Sequence, residues 1–122
     1  MGVVGIGGVF FRARDPGALQ AWYEDYLGVG SGDYGQWTQK AGTTVWMPFA
    51  ADTDYLAADK QFMINFRVDD LAGLLDSLRL AGIEVITKPE WDSPETGRFA
   101  RVHDPEGNAV ELWEPPPDDD VG

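Results

Sequence analysis

Apolar and polar positions along the chain follow two periods, and the points where one gives way to the other mark its elements. Leu19, Trp22, Tyr23, Tyr26 and Leu27 recur at helical spacing, so they share one face of a helix. Asp15 precedes them as an N-cap, Pro16 takes the first helical position, and Gly28 suits a left-handed C-cap. A second helix is predicted after Asp69 and Asp70, with Leu71, Leu74, Leu75 and Leu78 on one face and Gly82 at its end. Alternating or β-rich stretches predict strands at residues 7–14, 37–40, 43–49, 62–68 and 83–87. Residues 30–35, 50–60 and 89–97 read as loops. Two further strands flank Asp104-Pro105-Glu106-Gly107-Asn108. Pro105 sets φ at the first corner and Gly107 or Asn108 tolerates positive φ, so this stretch is a hairpin turn.

The order strand, cap, helix occurs twice. A shift of 55 positions lays Phe11 on Phe66, Arg12 on Arg67, Asp15 on Asp70 and Leu19 on Leu74. Near the ends of the halves, Trp46-Met47-Pro48 answers Trp113-Glu114-Pro115. The pattern predicts a duplicated βαβββ unit. The expected fold is α+β, with two βαβββ modules, about residues 5–50 and 61–115, forming a curled mixed sheet around a cavity. Residues 1–117 make a single domain, and a disordered acidic tail at 118–122 follows the prolines that close it.

Alternation then assigns faces. Val9, Phe11, Ile64, Phe66 and Val68 fall on the side covered by the helices. The opposite side collects Phe10, Arg12, Thr44, Trp46, Met63, Asn65, Arg67 and Trp113, and these are the candidate ligand-binding residues. Glu111 joins them between Ala109 and Trp113. A carboxylate on an apolar strand face is costly unless something pairs with it. It is either a rim glutamate or a group that works inside a pocket, and it is the candidate catalytic residue, as a proton acceptor or the partner of a ligand cation. Arg12 and Arg67 either clamp an anion or pair with acids at the rim. Trp37, Trp46, Phe49, Trp91, Phe99 and Trp113 offer planes for stacking, shared between ligand and core.

Composition narrows the chemistry. A chain of 122 residues with 43% hydrophobic content suits one compact domain. A net charge of −12 argues against nucleic acid and anionic membranes, and favours a cationic small molecule if the charge serves binding. There is no cysteine, which removes disulfides and zinc–thiolate sites. His103 is the single histidine and stands at the mouth of the hairpin as a turn residue, so a nucleophile–histidine system has little to be built from. The apolar start is too short to span a membrane and lacks the basic flank of a leader, so a cytoplasmic protein is expected. Gly5-Ile6-Gly7-Gly8 precedes a strand and lacks dinucleotide-binding spacing.

Three stretches in this order resemble the vicinal oxygen chelate superfamily of glyoxalase, bleomycin-resistance and extradiol-dioxygenase-like proteins. They are Asp15 ahead of a helix closing on Tyr26-Leu27-Gly28, then Phe66-Arg67-Val68-Asp69-Asp70-Leu71, then Asp104-Pro105-Glu106-Gly107-Asn108 followed by Glu111. The resemblance implies paired modules around a shared cavity, a homodimer, and in catalytic members one divalent metal held by His, Gln and Glu. Carried over by position, the four ligand places here are Gly8, Thr44, Met63 and Glu111. Only Glu111 is a normal ligand, whereas a catalytic metal keeps about three from the protein. No metal ligand set and no cofactor are therefore expected, with a divalent metal the disfavoured option. The favoured expectation is a small-molecule-binding protein that sequesters or senses an aromatic or cationic ligand. The rival is a metal-dependent lyase or dioxygenase of the same superfamily using Glu111.

Overall fold

The computed structural model describes residues 1–117; the expected disordered tail at 118–122 lies outside them. Helix α1 spans Pro16–Leu27. The Asp15 carboxylate accepts from the Ala18 N–H at 3.1 Å, and Gly28 closes the helix at φ 67°. Strand β1, Ile64–Arg67, leads into helix α2, Leu71–Leu80. Asp70 caps α2 by accepting from Gly73 at 3.0 Å, and the Glu114 carboxylate takes the Leu71 N–H at 2.9 Å. Two acidic side chains thus satisfy donors that the first helical turn leaves open. A single 3-10 turn, Pro89–Trp91, precedes strands β2, Arg98–His103, and β3, Ala109–Glu114.

The sheet runs β1-β3-β2, with β1 parallel and β2 antiparallel to the central β3. Asn65 and Arg101 lie opposite Glu111 from the two sides. One face carries Ala100, Val102, Val110 and Leu112, all buried against Leu71, Leu75 and Leu78 of α2 and Leu19 and Tyr23 of α1. Each fully buried leucine or valine contributes about 1.5–3 kcal/mol. The expected two-sided alternation of β3 is the observed one.

The Asp104–Asn108 turn joins the two ends of the fold. The buried Asp104 carboxylate accepts from the main-chain N–H groups of Glu106 and Asn108, from the Asn108 side chain, and from the Tyr23 hydroxyl of α1 at 2.7 Å. Burial, then that hydrogen bond, pushes the Tyr23 phenol up. The Glu106 carboxylate takes the N–H groups of Arg14 and Asp15, at 2.6 and 2.9 Å, just ahead of α1.

The strands expected in the first half differ from this picture. Residues 7–14, 37–40 and 43–49 carry no ladder, 62–68 is shortened to Ile64–Arg67, and 83–87 contributes only the bridge of Ile86 to Arg101. A strand is stabilised through a neighbour about 4.8 Å away, and the described residues offer these stretches none. Phe11 nevertheless packs edge-on against Tyr23 and Phe62, on the helix side as expected. The fold is therefore α+β with a small, open mixed sheet. No helix among the described residues is long and apolar enough to cross a membrane.

Candidate functional site

The face of the sheet turned away from the helices carries Asn65 and Arg67 from β1, Glu111 and Trp113 from β3, and Phe99, Arg101 and His103 from β2. Its centre is Glu111, with only 7% of its surface exposed. One carboxylate oxygen accepts from Asn65 Nδ2 at 2.8 Å, and the other accepts from the Tyr55 hydroxyl. Both donors are neutral. Arg101 lies directly across the ladder from Glu111, yet no ion pair joins them; its Nη2 donates to the Tyr55 carbonyl at 2.9 Å. The guanidinium is stacked instead, 4.6 Å from the Tyr55 ring and 5.3 Å from the Trp91 ring. Burial and the bond to Glu111 push the Tyr55 phenol up to about 12, against the smaller opposing effect of Arg101. At neutral pH Tyr55 is a donor.

Arg67 is engaged by the main chain. Its Nη1 and Nη2 donate to the carbonyls of Thr43 and Lys40, at 3.1 and 2.7 Å, and tie the 40–43 stretch to β1. Gly42 sits against that guanidinium so closely that a Cβ would occupy the same space. Trp113 stacks on Phe99 and donates from Nε1 to the Thr96 carbonyl at 2.7 Å. Among the residues predicted for the site, Met63, Asn65, Arg67, Glu111 and Trp113 come together on or beside this face. Phe10 and Trp46, 94% and 84% exposed, stand apart from it, and Arg12 and Thr44 are exposed with them.

Two neighbours of Glu111 were not foreseen. Arg101 is readable in principle, because it alternates with the buried Ala100 and Val102 and so must share the face of Glu111. Tyr55 is not, since the acidic connection that carries it has no periodicity to give it a direction. Beside this group a cavity of about 230 Å³ opens between residues 54–62 and the hairpin, lined by Tyr55, Lys60, Phe62, Arg101 and His103 among others.

The superfamily's divalent metal finds a poor donor set. Gly8 and Thr44 lie in stretches that carry no ladder, Met63 offers only a thioether, and both oxygens of Glu111 already accept from neutral donors. Among the described residues no three His, Cys, Asp or Glu side chains gather closely enough to hold an ion. The residues present do not fit such a centre.

Comparisons with known proteins bear on the family. The family described as glyoxalase-like domain matches residues 8–113. No curated protein is significantly similar to the chain. Among solved structures, TnmS3, an antibiotic binding protein from Streptomyces sp. CB03234, is similar with a TM-score of 0.56 and 23% identity, over 94% of this chain and 98% of that one. A glyoxalase/bleomycin resistance protein from the same organism matches with a TM-score of 0.45 and 24% identity, over 82% of this chain and 91% of that one. The first of these is a likeness of fold. Because the family match covers residues 8–113, well over half of the chain, the chain belongs to the glyoxalase-like domain family, within the vicinal oxygen chelate superfamily.

Proposed function

We propose that this protein binds a small aromatic molecule on the open face of its sheet without transforming it, as a sequestering or sensing protein. The observation that carries the reading is the state of Glu111: a carboxylate whose two oxygens are both engaged by Tyr55 and Asn65 is organised as part of a wall. Around it Tyr55, Trp91, Phe99 and Trp113 supply aromatic planes, which hold a planar ligand at low entropic cost. The antibiotic-binding neighbour of similar fold supports the same direction. The functional unit is taken to be a homodimer, supported by the apolar side chains of Val3, Val4, Phe10, Trp46 and Met47 that one chain leaves exposed.

The test is a panel of aromatic antibiotics titrated against tryptophan fluorescence, with the ligand recovered and weighed by mass spectrometry. Saturable quenching by at least one compound, recovered unchanged, is expected. A modified product, or one tightly held metal per chain together with turnover of thiol adducts or catechols, would overturn the proposal in favour of the metal-dependent lyase or dioxygenase reading. Absence of quenching across the panel would remove the aromatic-ligand reading.

A further inference from the structure

The cavity beside Glu111 has a charge opposite to that of the protein around it. The chain carries 21 acidic against 9 Lys and Arg residues. Yet Lys60, Arg101 and the single histidine, His103, all line this one cavity, with Asp54 as its one carboxylate. The donors there are largely unspent. No hydrogen bond or ion pair engages the side chains of Lys60 or His103 among the described residues, whose ion pairs are Arg14–Glu106 and Arg79–Asp76. Arg101 uses Nη2 on the Tyr55 carbonyl and, at 4.0 Å, on Met63 Sδ, while its buried Nε has no partner among the described residues.

A half-buried guanidinium without a carboxylate is an unfavourable arrangement in isolation. Glu111 stands across the ladder and would be the natural partner, but Tyr55 and Asn65 hold it. The Tyr55 and Trp91 rings hold the guanidinium between them by cation–π contact without neutralising it. A planar cation with unspent donors, in one cavity with an ammonium and an imidazole, is complementary to an oxyanion.

We propose that this cavity receives the carboxylate or phosphate group of an aromatic ligand, set between Lys60, Arg101 and His103, with the ring against Tyr55 and Phe62. The inference rests on the small-molecule-binding reading and gives its ligand a charge. That charge is the reverse of the one suggested by net composition, because the field of an acidic surface is screened within about 10 Å of solvent at 0.1 M salt whereas a cavity senses its own lining.

Three single-ring probes of matched size separate the possibilities: benzoate, phenyl phosphate and benzylamine, titrated at constant ionic strength into the ¹⁵N-labelled 122-residue chain. The Arg101 Nε–Hε resonance is the site-specific reporter. Benzoate or phenyl phosphate is expected to move it to saturation, with benzylamine at least about tenfold weaker, and the tighter of the two anions names the group. The double substitution Lys60→Gln with His103→Gln is expected to weaken the anion about tenfold while leaving the remaining amide spectrum in place. Benzylamine binding as tightly as benzoate would overturn the oxyanion inference and leave the aromatic-ligand reading intact. An Arg101 resonance unmoved by any of the three, or an anion affinity unchanged by the double substitution, would overturn it as well. The antibiotic panel tests the broader reading separately.

Discussion

Asp104 and Glu106 show how much of a conspicuous motif can be spent on architecture. The four donors on Asp104 and the two main-chain donors on Glu106 consume both acids of the turn, so the stretch that most resembles a functional signature positions α1 instead. Glu106 also gives the fold a response to acid. The N–H groups of Asp15 and Arg14 hold its carboxyl below the usual range, with the Arg14 guanidinium contributing less. A carboxyl whose folded value is depressed stabilises the fold fully above its unfolded value, about 4.3, and loses that contribution as pH falls through the lower folded value. The stability gap between wild type and Glu106→Gln, read from urea midpoints, is therefore expected to be constant from about pH 7 to pH 5 and to close below about pH 4. A gap that is the same at both ends would show that the carboxylate's charge does not matter there.

Gly97 joins two elements that the site depends on. Its φ is +101°, and a Cβ would run into the Glu114 carbonyl and the Trp113 indole, whose Nε1 ties β3 to the Thr96 carbonyl. Gly97→Ala is expected to cost about 2–4 kcal/mol in urea unfolding and to loosen Trp113, seen as a shift in its fluorescence. Gly107→Ala, at φ +80° with open space around it, is expected to cost only about 1–2 kcal/mol. Equal costs at the two positions would mean that conformation, and not crowding, governs Gly97. The elements themselves were legible to unequal degrees. Both helices could be read because their caps are local: Asp15, Pro16 and Gly28, or Asp70 and the leucines after it, act within a turn or two of themselves. The faces of β3 could be read because Val110 and Leu112 alternate with Glu111. The first-half strands could not, since alternation at 43–49 tells which side chains share a face but names no partner for the backbone. The wall around Glu111 was half visible: Asn65 follows from alternation, whereas Tyr55 arrives from a stretch without a period.

At the scale of the whole molecule, one side is complete and the other is not. The helices and the sheet close an apolar core, while Phe10, Trp46 and their apolar neighbours are exposed. Light scattering is expected to give the mass of two chains, and the paired substitution Phe10→Glu with Trp46→Glu is expected to shift it to one while helical circular dichroism is retained. A wild-type mass of one chain would sink the dimer. The clamp formed by the turn has a further consequence for how the molecule is made. Tyr23 and Asp104 are separated by 81 positions, and Arg14 and Glu106 by 92. A ribosome delivers α1 well before its anchors, so the first helix must wait for that length of synthesis without the turn that fixes it. A nascent chain arrested before Asn108 therefore exposes the apolar face of α1 to whatever chaperone attends the exit tunnel, and only the emergence of that turn withdraws it.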